Sequence, residues 1–285
     1  MHFVTVVSSR EEEDQATFMI DSLHSFGGEL RESCVWIFCP GAYVPQTFSS
    51  LKNVEVWPLE MEIPYRHYDL ADKVFACARA EEMLDAQPGS LAWINLDCLF
   101  VNPPLLFDLG PAFDAALRPV HLRNVGSTVG EPLDEYWKTI YDCIGVEAGV
   151  WTVESFVDGQ TIRPYFNTHC FSINPAKGIL QAWRKYFQVL VSDCAFQAGP
   201  CQDELHRVFL HQVVLSALIM KSLDRDRILM LPPEYSYPLH LQQMIPPSRQ
   251  FKSLNSTVCT VYEEADVLAG IEVADPLRSW LMEHR

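Results

Sequence analysis

Over its first hundred residues or so this chain alternates short apolar runs with helical segments, and that alternation constrains its fold more than any other feature. HFVTVVSS at 2–9, CVWIFCP at 34–40, NVEVWPLE at 53–60 and SLAWINLDCLFV at 90–101 read as strands, with Gly and Pro in the connections. REEEDQATFMIDSLHSFGG brings acidic residues to a helix amino end, offers Phe18, Ile20, Leu23 and Phe26 as buried anchors, and stops at Gly27-Gly28. A second helix is expected from about Leu70 to Leu84, with Val74, Cys77 and Ala78 facing inward. The alternation predicts an α/β fold, a mostly parallel central sheet flanked by helices. TVCTVYEE is expected to add a late edge strand, and 285 residues leave room for a smaller region beside the main core.

In open sheets of this kind ligands meet the carboxyl ends of the strands. Asn95 and Asp97 stand two residues apart in such a run, so a strand points both to one side. A carboxylate beside a neutral oxygen suits a hard divalent ion bridging two phosphates. The first strand is not followed by GxGxxG and no GxxxxGK[ST] occurs, so nicotinamide-dependent oxidoreduction and P-loop hydrolysis lose their signals. A formal charge of -16 argues against nucleic acid but is compatible with a small phosphate-bearing ligand. Nine cysteines without CxxC spacing, and no apparent signal peptide at MHFVTVVSSR, predict free thiols and a cytoplasmic location. The apolar passage Val208–Met220 is too short to span a bilayer, so no transmembrane segment is expected.

Trp93-Ile94-Asn95-Leu96-Asp97 resembles the strand ending in DxD of the GT-A nucleotide-sugar transferase superfamily, with Asp97 at the second acidic position and Asn95 replacing the first. Tyr165–Pro175, YFNTHCFSINP, is similar to the family's FNxG segment with its apolar strand and NP, followed by a helix near Ala176; His169 stands where glycine is common. Phe209–Leu218 resembles the DQ-containing helix near the donor sugar, with Gln212 at the amide position and His211 replacing the acid. RILMLPPEYSYPLH, ending at His240, is similar to a strand and LPxxYN-like closing loop, with Ser236 in place of Asn.

The resemblance, to the glycogenin and galactosyltransferase-like branch, covers roughly residues 2 to 245. It implies a GT-A-like domain at 1–245 with a smaller acceptor-side region, and a C-terminal extension at 246–285 packed on the same domain. It implies transfer of a sugar from a nucleotide-diphosphate donor, a UDP-sugar by family expectation, to a hydroxyl-bearing acceptor. Asn95, Asp97 and His240 are the expected ligands of Mn2+ or Mg2+, and Ser8, Arg66, Lys73, Asn95 and Asp97 the expected nucleotide and diphosphate contacts. Asn167, His169, Asp203, His211 and Gln212 are expected on the substrate side, with Asp97 and Gln212 as the catalytic candidates. The donor sugar, the acceptor, the stereochemistry and the oligomeric state stay open; inversion requires a base, for which Asp203 and Glu204 are candidates. Two alternatives stand beside transfer: a GT-A-like binding or interaction module that has lost turnover, and a nucleotide-sugar hydrolase or nucleotidyltransferase. The substitutions at Asn95, His169 and His211 motivate the first.

Overall fold

The computed structural model describes residues 1–66, 68–147, 151–263, 266 and 270–284. The amino-terminal half runs β1 (His2–Val6), α1 (Arg10–Phe26), β2 (Cys34–Pro40), β3 (Val54–Leu59), α2 (Ala71–Met83), β4 (Leu91–Ile94), β5 (Cys98–Phe100), β6 (Ala115–Leu117) and α3 (Glu135–Ile144). A two-stranded ribbon follows, β7 (Val153–Glu154) with β8 (Thr161–Ile162), then β9 (Cys170–Ile173), α4 (Ile179–Ser192), α5 (Cys194–Ala198) and α6 (Glu204–Ser222). The chain closes with β10 (Ile228–Met230), β11 (Tyr235–Pro238), β12 (Cys259–Val261) and α7 (Leu277–Glu283).

Seven of these strands form the main sheet, ordered β10-β6-β9-β4-β1-β2-β3. All neighbours pair in parallel except β9, which runs antiparallel between β4 and β6. Both faces are covered, which explains why the central strands read as nearly continuous apolar runs rather than alternating ones. Val4, Trp36, Phe38 and Trp93 face a core built with α2, α3, α4 and α6 around Val74, Trp137, Trp183 and Leu215. Their strand neighbours Phe3, Val35, Ile37 and Ile94 face the other way, onto Met19, Ile20 and Leu23 of α1 and Phe100 of β5. This is the expected α/β fold: a mostly parallel, GT-A-like sheet between helices with a smaller region beside it.

Three local expectations are corrected. The run at 90–101 is two strands, because the chain turns at Asn95-Leu96-Asp97, where Cys98 N–H donates to Asn95 O at 3.2 Å. β5 then leaves the main sheet and pairs antiparallel with β12. TVCTVYEE supplies β12, which is the centre rather than the edge of the small sheet β11-β12-β5; its Glu264 lies outside the described residues. The helix expected near Ala176 begins at Ile179, after a 3-10 turn that closes at Gly178 with φ +64°. The amino end of α4 lacks a side-chain cap of its own, and Glu81 of α2 serves instead, accepting from Leu180 N and Gln181 N at 3.1 and 2.7 Å.

The carboxyl-terminal segment packs on the same body. Val273, Leu277 and Leu281 bury against Leu99 and Val101, and Trp280 meets Phe18 and Phe26 of α1. Those two phenylalanines are therefore covered by the chain's end, whereas Ile20 and Leu23 face the sheet. Among the described residues no helix is long and apolar enough to cross a membrane.

Candidate functional site

The turn at Asn95-Leu96-Asp97 sits where β4 ends and the chain crosses to the small sheet, at the carboxyl rim of the parallel strands. Asp97, His169 and Glu263 converge here, each offering one ligand atom, all within 4.8 Å of one another. The three come from three places: the β4–β5 turn, the residue before β9, and the turn after β12.

His169 is set from behind. Oδ1 of Asn167 lies 2.8 Å from Nδ1 and 2.7 Å from the backbone N–H of His169, and an amide oxygen only accepts. Nδ1 therefore carries a proton, and Nε2 points toward Oε1 of Glu263 at 3.5 Å. His240 repeats the arrangement: Nδ1 faces the carbonyl of Val261 at 3.4 Å and Nε2 lies 3.3 Å from the same Glu263 oxygen. Two imidazole Nε2 atoms thus face one carboxylate oxygen, which they can meet as N–H donors or share with a cation. The His169 contact holds the Glu263 carboxyl below its ordinary value, and burial pushes His240 down. The ring of His121 stacks on His169 at 5.5 Å and 14°, and its Nε2–H donates to the carbonyl of Ser236 at 2.8 Å. Burial holds the His121 imidazole well below its usual value.

The donor set is oxygen, nitrogen and oxygen with a second imidazole beside it, and it fits a divalent cation. Carboxylates with imidazole suit Mn2+ better than Mg2+, which favours oxygen alone. Backbone geometry at the rim is unusual too: Ser236 and Glu263 adopt left-handed φ values of 55° and 46°. Non-glycine residues hold such values only where their surroundings enforce them.

Asn95 stands beside this group with its side-chain oxygen engaged, accepting from the indole N–H of Trp93 at 2.8 Å, while its own backbone N–H donates to His169 O at 2.8 Å. Lys73 is buried under the site. Its ammonium donates to Thr168 O at 3.1 Å and lies 5.2 Å from the Trp93 ring centroid. Burial lowers its pKa, and the Asp97 carboxylate pulls the other way. Lys73 is therefore enclosed by the protein rather than exposed to a phosphate at the surface.

Ser8 and Arg66 share a different wall. They line a cavity of about 300 Å³ with Gly41, Tyr68, Leu70 and Asp72 at the ends of β1, β2 and β3. Ser8 gives its backbone N–H and hydroxyl to Glu12 at 2.5 and 2.7 Å, and Arg66 donates to Met61 O at 2.9 Å. Burial raises the Asp72 carboxyl, which lies one residue from Lys73 and so joins this cleft to the Asp97 side.

His211 and Gln212 are buried, not open to either cleft. The hydroxyl of Thr168 lies 2.9 Å from Nε2 of His211 and 3.1 Å from Oε1 of Gln212, while His211 Nδ1–H donates to Val208 O at 2.8 Å. This network fixes the residue between Asn167 and His169. Asp203 lies elsewhere, capping α6 through His206 N and pairing with the His206 ring at 2.6 Å.

Sequence reasoning missed Glu263, His121 and Thr168. The first two follow short strands closely, Glu263 after Val261 and His121 after Leu117. Position a few residues past a strand end is a weak signal that singles neither of them out.

Among curated proteins none matches the chain. Residues 3–224 match the Rhodobacterales glycosyltransferase domain, a span that holds β1 through α6 and includes Lys73, Asp97 and His169, whereas His240 and Glu263 lie beyond it. The match covers well over half of the sequence, and the chain belongs to the Rhodobacterales glycosyltransferase domain family.

Proposed function

We propose that this chain transfers a sugar from a nucleotide-diphosphate donor, a UDP-sugar by family resemblance, to a hydroxyl-bearing acceptor. The observation that carries the reading is the convergence of Asp97, His169 and Glu263 at the strand ends, linked to the cleft lined by Ser8, Arg66 and Asp72 through Lys73, whose ammonium feels both Asp97 and Asp72. Ser8 and Arg66 receive the nucleotide, and the diphosphate extends toward Asp97. Asp97, His169 and Glu263, with His240 beside them, would hold a divalent cation, Mn2+ ahead of Mg2+, whose charge would stabilise the leaving diphosphate. Asn167 fixes the His169 tautomer, and Lys73 sets the potential beneath Asp97. Gln212 and His211 act through Thr168 as positioning residues.

One observation favours a second reading. The oxygen of Asn95 that replaces a carboxylate is already engaged by Trp93, which suits a donor-binding module without turnover. A nucleotide-sugar panel, titrated with and without Mn2+ and followed by product analysis, separates the two. Metal-dependent donor binding with sugar transfer supports the transferase, and loss of that binding in Asp97→Ala ties it to this site. Binding without transfer or donor hydrolysis supports the module; no donor binding in either condition sinks both.

A further inference from the structure

A second cavity, of about 480 Å³, lies beside the histidine cluster and is lined by Arg118, Glu154, Phe156, Glu234, Arg249 and Phe251. Arg118 follows β6 at the same carboxyl rim as Asp97, and the residue is only 5% exposed. Its Cζ sits 4.7 Å from the centre of the Phe156 ring, so one guanidinium face is covered. Among the described residues, Nε and Nη2 meet no hydrogen-bond acceptor. Burying a cation with empty donors is costly, and native proteins rarely leave such groups unanswered. Lys73, the other deeply buried cation near this rim, is given the carbonyl of Thr168.

The other charges of the cavity do not answer Arg118. Arg249 is committed to Glu154 and donates to Phe156 O at 2.9 Å. Glu234 is close enough to favour the Arg118 charge, yet its Oε2 is itself buried without a partner. The wall of this cavity therefore holds two unpartnered guanidinium donors and, separately, one unpartnered carboxylate acceptor. A guanidinium fork fits a carboxylate or phosphate through two parallel hydrogen bonds, and a carboxylate oxygen accepts from a hydroxyl.

The placement links this cavity to the site. Glu234 stands two residues before Ser236, whose carbonyl holds His121, and the Arg118 charge is felt at His121. His121 in turn stacks on His169.

We propose that this cavity is the acceptor subsite and that it takes a hydroxylated compound bearing an oxyanion, a carboxylate or a phosphate, clamped by Arg118 with a hydroxyl directed to Glu234. Its role as an acceptor site rests on the transferase reading; oxyanion binding does not.

The test is calorimetric titration of the full chain with glucuronate, glucose 6-phosphate and glucose, without metal or nucleotide sugar. At least one acid should bind about tenfold or more tightly than glucose, the scale of a charge-assisted hydrogen-bonded pair. That preference should vanish in Arg118→Met and persist in Asp97→Ala, and the preferred acid tells a carboxylate ligand from a phosphate. Should Arg118→Met fail to fold, Arg118→Lys keeps the charge without the fork and should weaken the acid by roughly severalfold. Glucose binding as well as both acids, or an acid preference unaffected by either Arg118 variant, overturns the inference. Acid binding through Arg118 without any donor transfer leaves the oxyanion site standing and removes the transferase reading. Transfer to neutral acceptors only, unaffected by Arg118, keeps the transferase reading and overturns the acceptor role of this cavity.

Discussion

Nε2 of His169 lies 3.5 Å from Oε1 of Glu263, which joins a residue at the head of β9 to one that follows the last strand. The contact lets the C-terminal part of the chain complete a site begun by the parallel sheet. Glu263 also faces His240 at 3.3 Å, so removing its carboxylate leaves two imidazoles without their shared partner. Glu263→Ala should weaken Mn2+ binding by about tenfold or more, and Asn167→Ala, which frees the His169 tautomer, by about tenfold. Electron paramagnetic titration of free Mn2+ measures both. Wild-type affinity in Glu263→Ala would remove that residue from the ligand set.

Lys73 separates function from folding. Its ammonium is buried against Trp93 with one carbonyl as partner, and burial alone pushes its pKa down. An apolar side chain of similar length removes the desolvation cost of the buried ammonium, which offsets the loss of its hydrogen bond to Thr168 O. Lys73→Met should therefore keep or raise the melting temperature while donor turnover falls about tenfold through the lost potential at Asp97. A matched drop in stability and turnover would mark Lys73 as structural only.

Glu13 gives the fold a defined acid sensitivity. It is buried at the start of α1 and accepts from Gln46 N, Thr47 N and Tyr43 Oη at 2.8, 2.6 and 2.7 Å, and also from Thr47 Oγ1. Burial alone would raise its pKa, but the hydrogen bonds from Thr47, Tyr43 and Gln46 carry it from 4.5 down to about 2. A carboxyl depressed on folding contributes stability above its unfolded pKa and loses that contribution as pH falls through the folded one. Glu13→Gln should cost on the order of 2 kcal/mol at neutral pH. The gap from wild type should close as pH drops from 4.5 toward about 2. Urea denaturation across that range checks it; a gap independent of pH would assign the effect to shape rather than charge.

The strand–helix alternation was legible because both faces of the main sheet are buried, which writes each central strand as an apolar run with a clear end. β2 occupies the span read from CVWIFCP, whereas the run at 90–101 hid a change of sheet, since β4 and β5 are equally apolar and only the three-residue turn between them differs. Asp97 was legible as a polar residue at a strand end, and His169 and His240 through the resemblance of their segments to GT-A motifs. Glu263 was not, because its partner residues lie far away in sequence and only the pairing of β12 with β5 brings it to Asp97. Local patterning also said nothing of depth, which is why Lys73 and His211 read as site contacts and lie buried.

Asn95 decides how much charge the site carries. Its Oδ1 accepts from the Trp93 indole at 2.8 Å, and a carboxylate of the same shape accepts that bond at least as well. Asn95→Asp should therefore fold as the wild type does while placing a second negative charge two residues from Asp97. If the cluster holds a divalent cation at a diphosphate, the added charge should tighten Mn2+ by about tenfold at moderate salt, since an unscreened close pair is worth 1 kcal/mol or more on the order of magnitude expected near a protein surface. Asn95→Ala should instead act on stability: it strands the buried indole N–H and should cost about 1–3 kcal/mol. Parallel Mn2+ titrations and thermal melts of the two variants separate charge from hydrogen bonding. If Asn95→Asp folds normally and binds Mn2+ no better than wild type, the turn at 95–97 supports the strand crossover and not the cation.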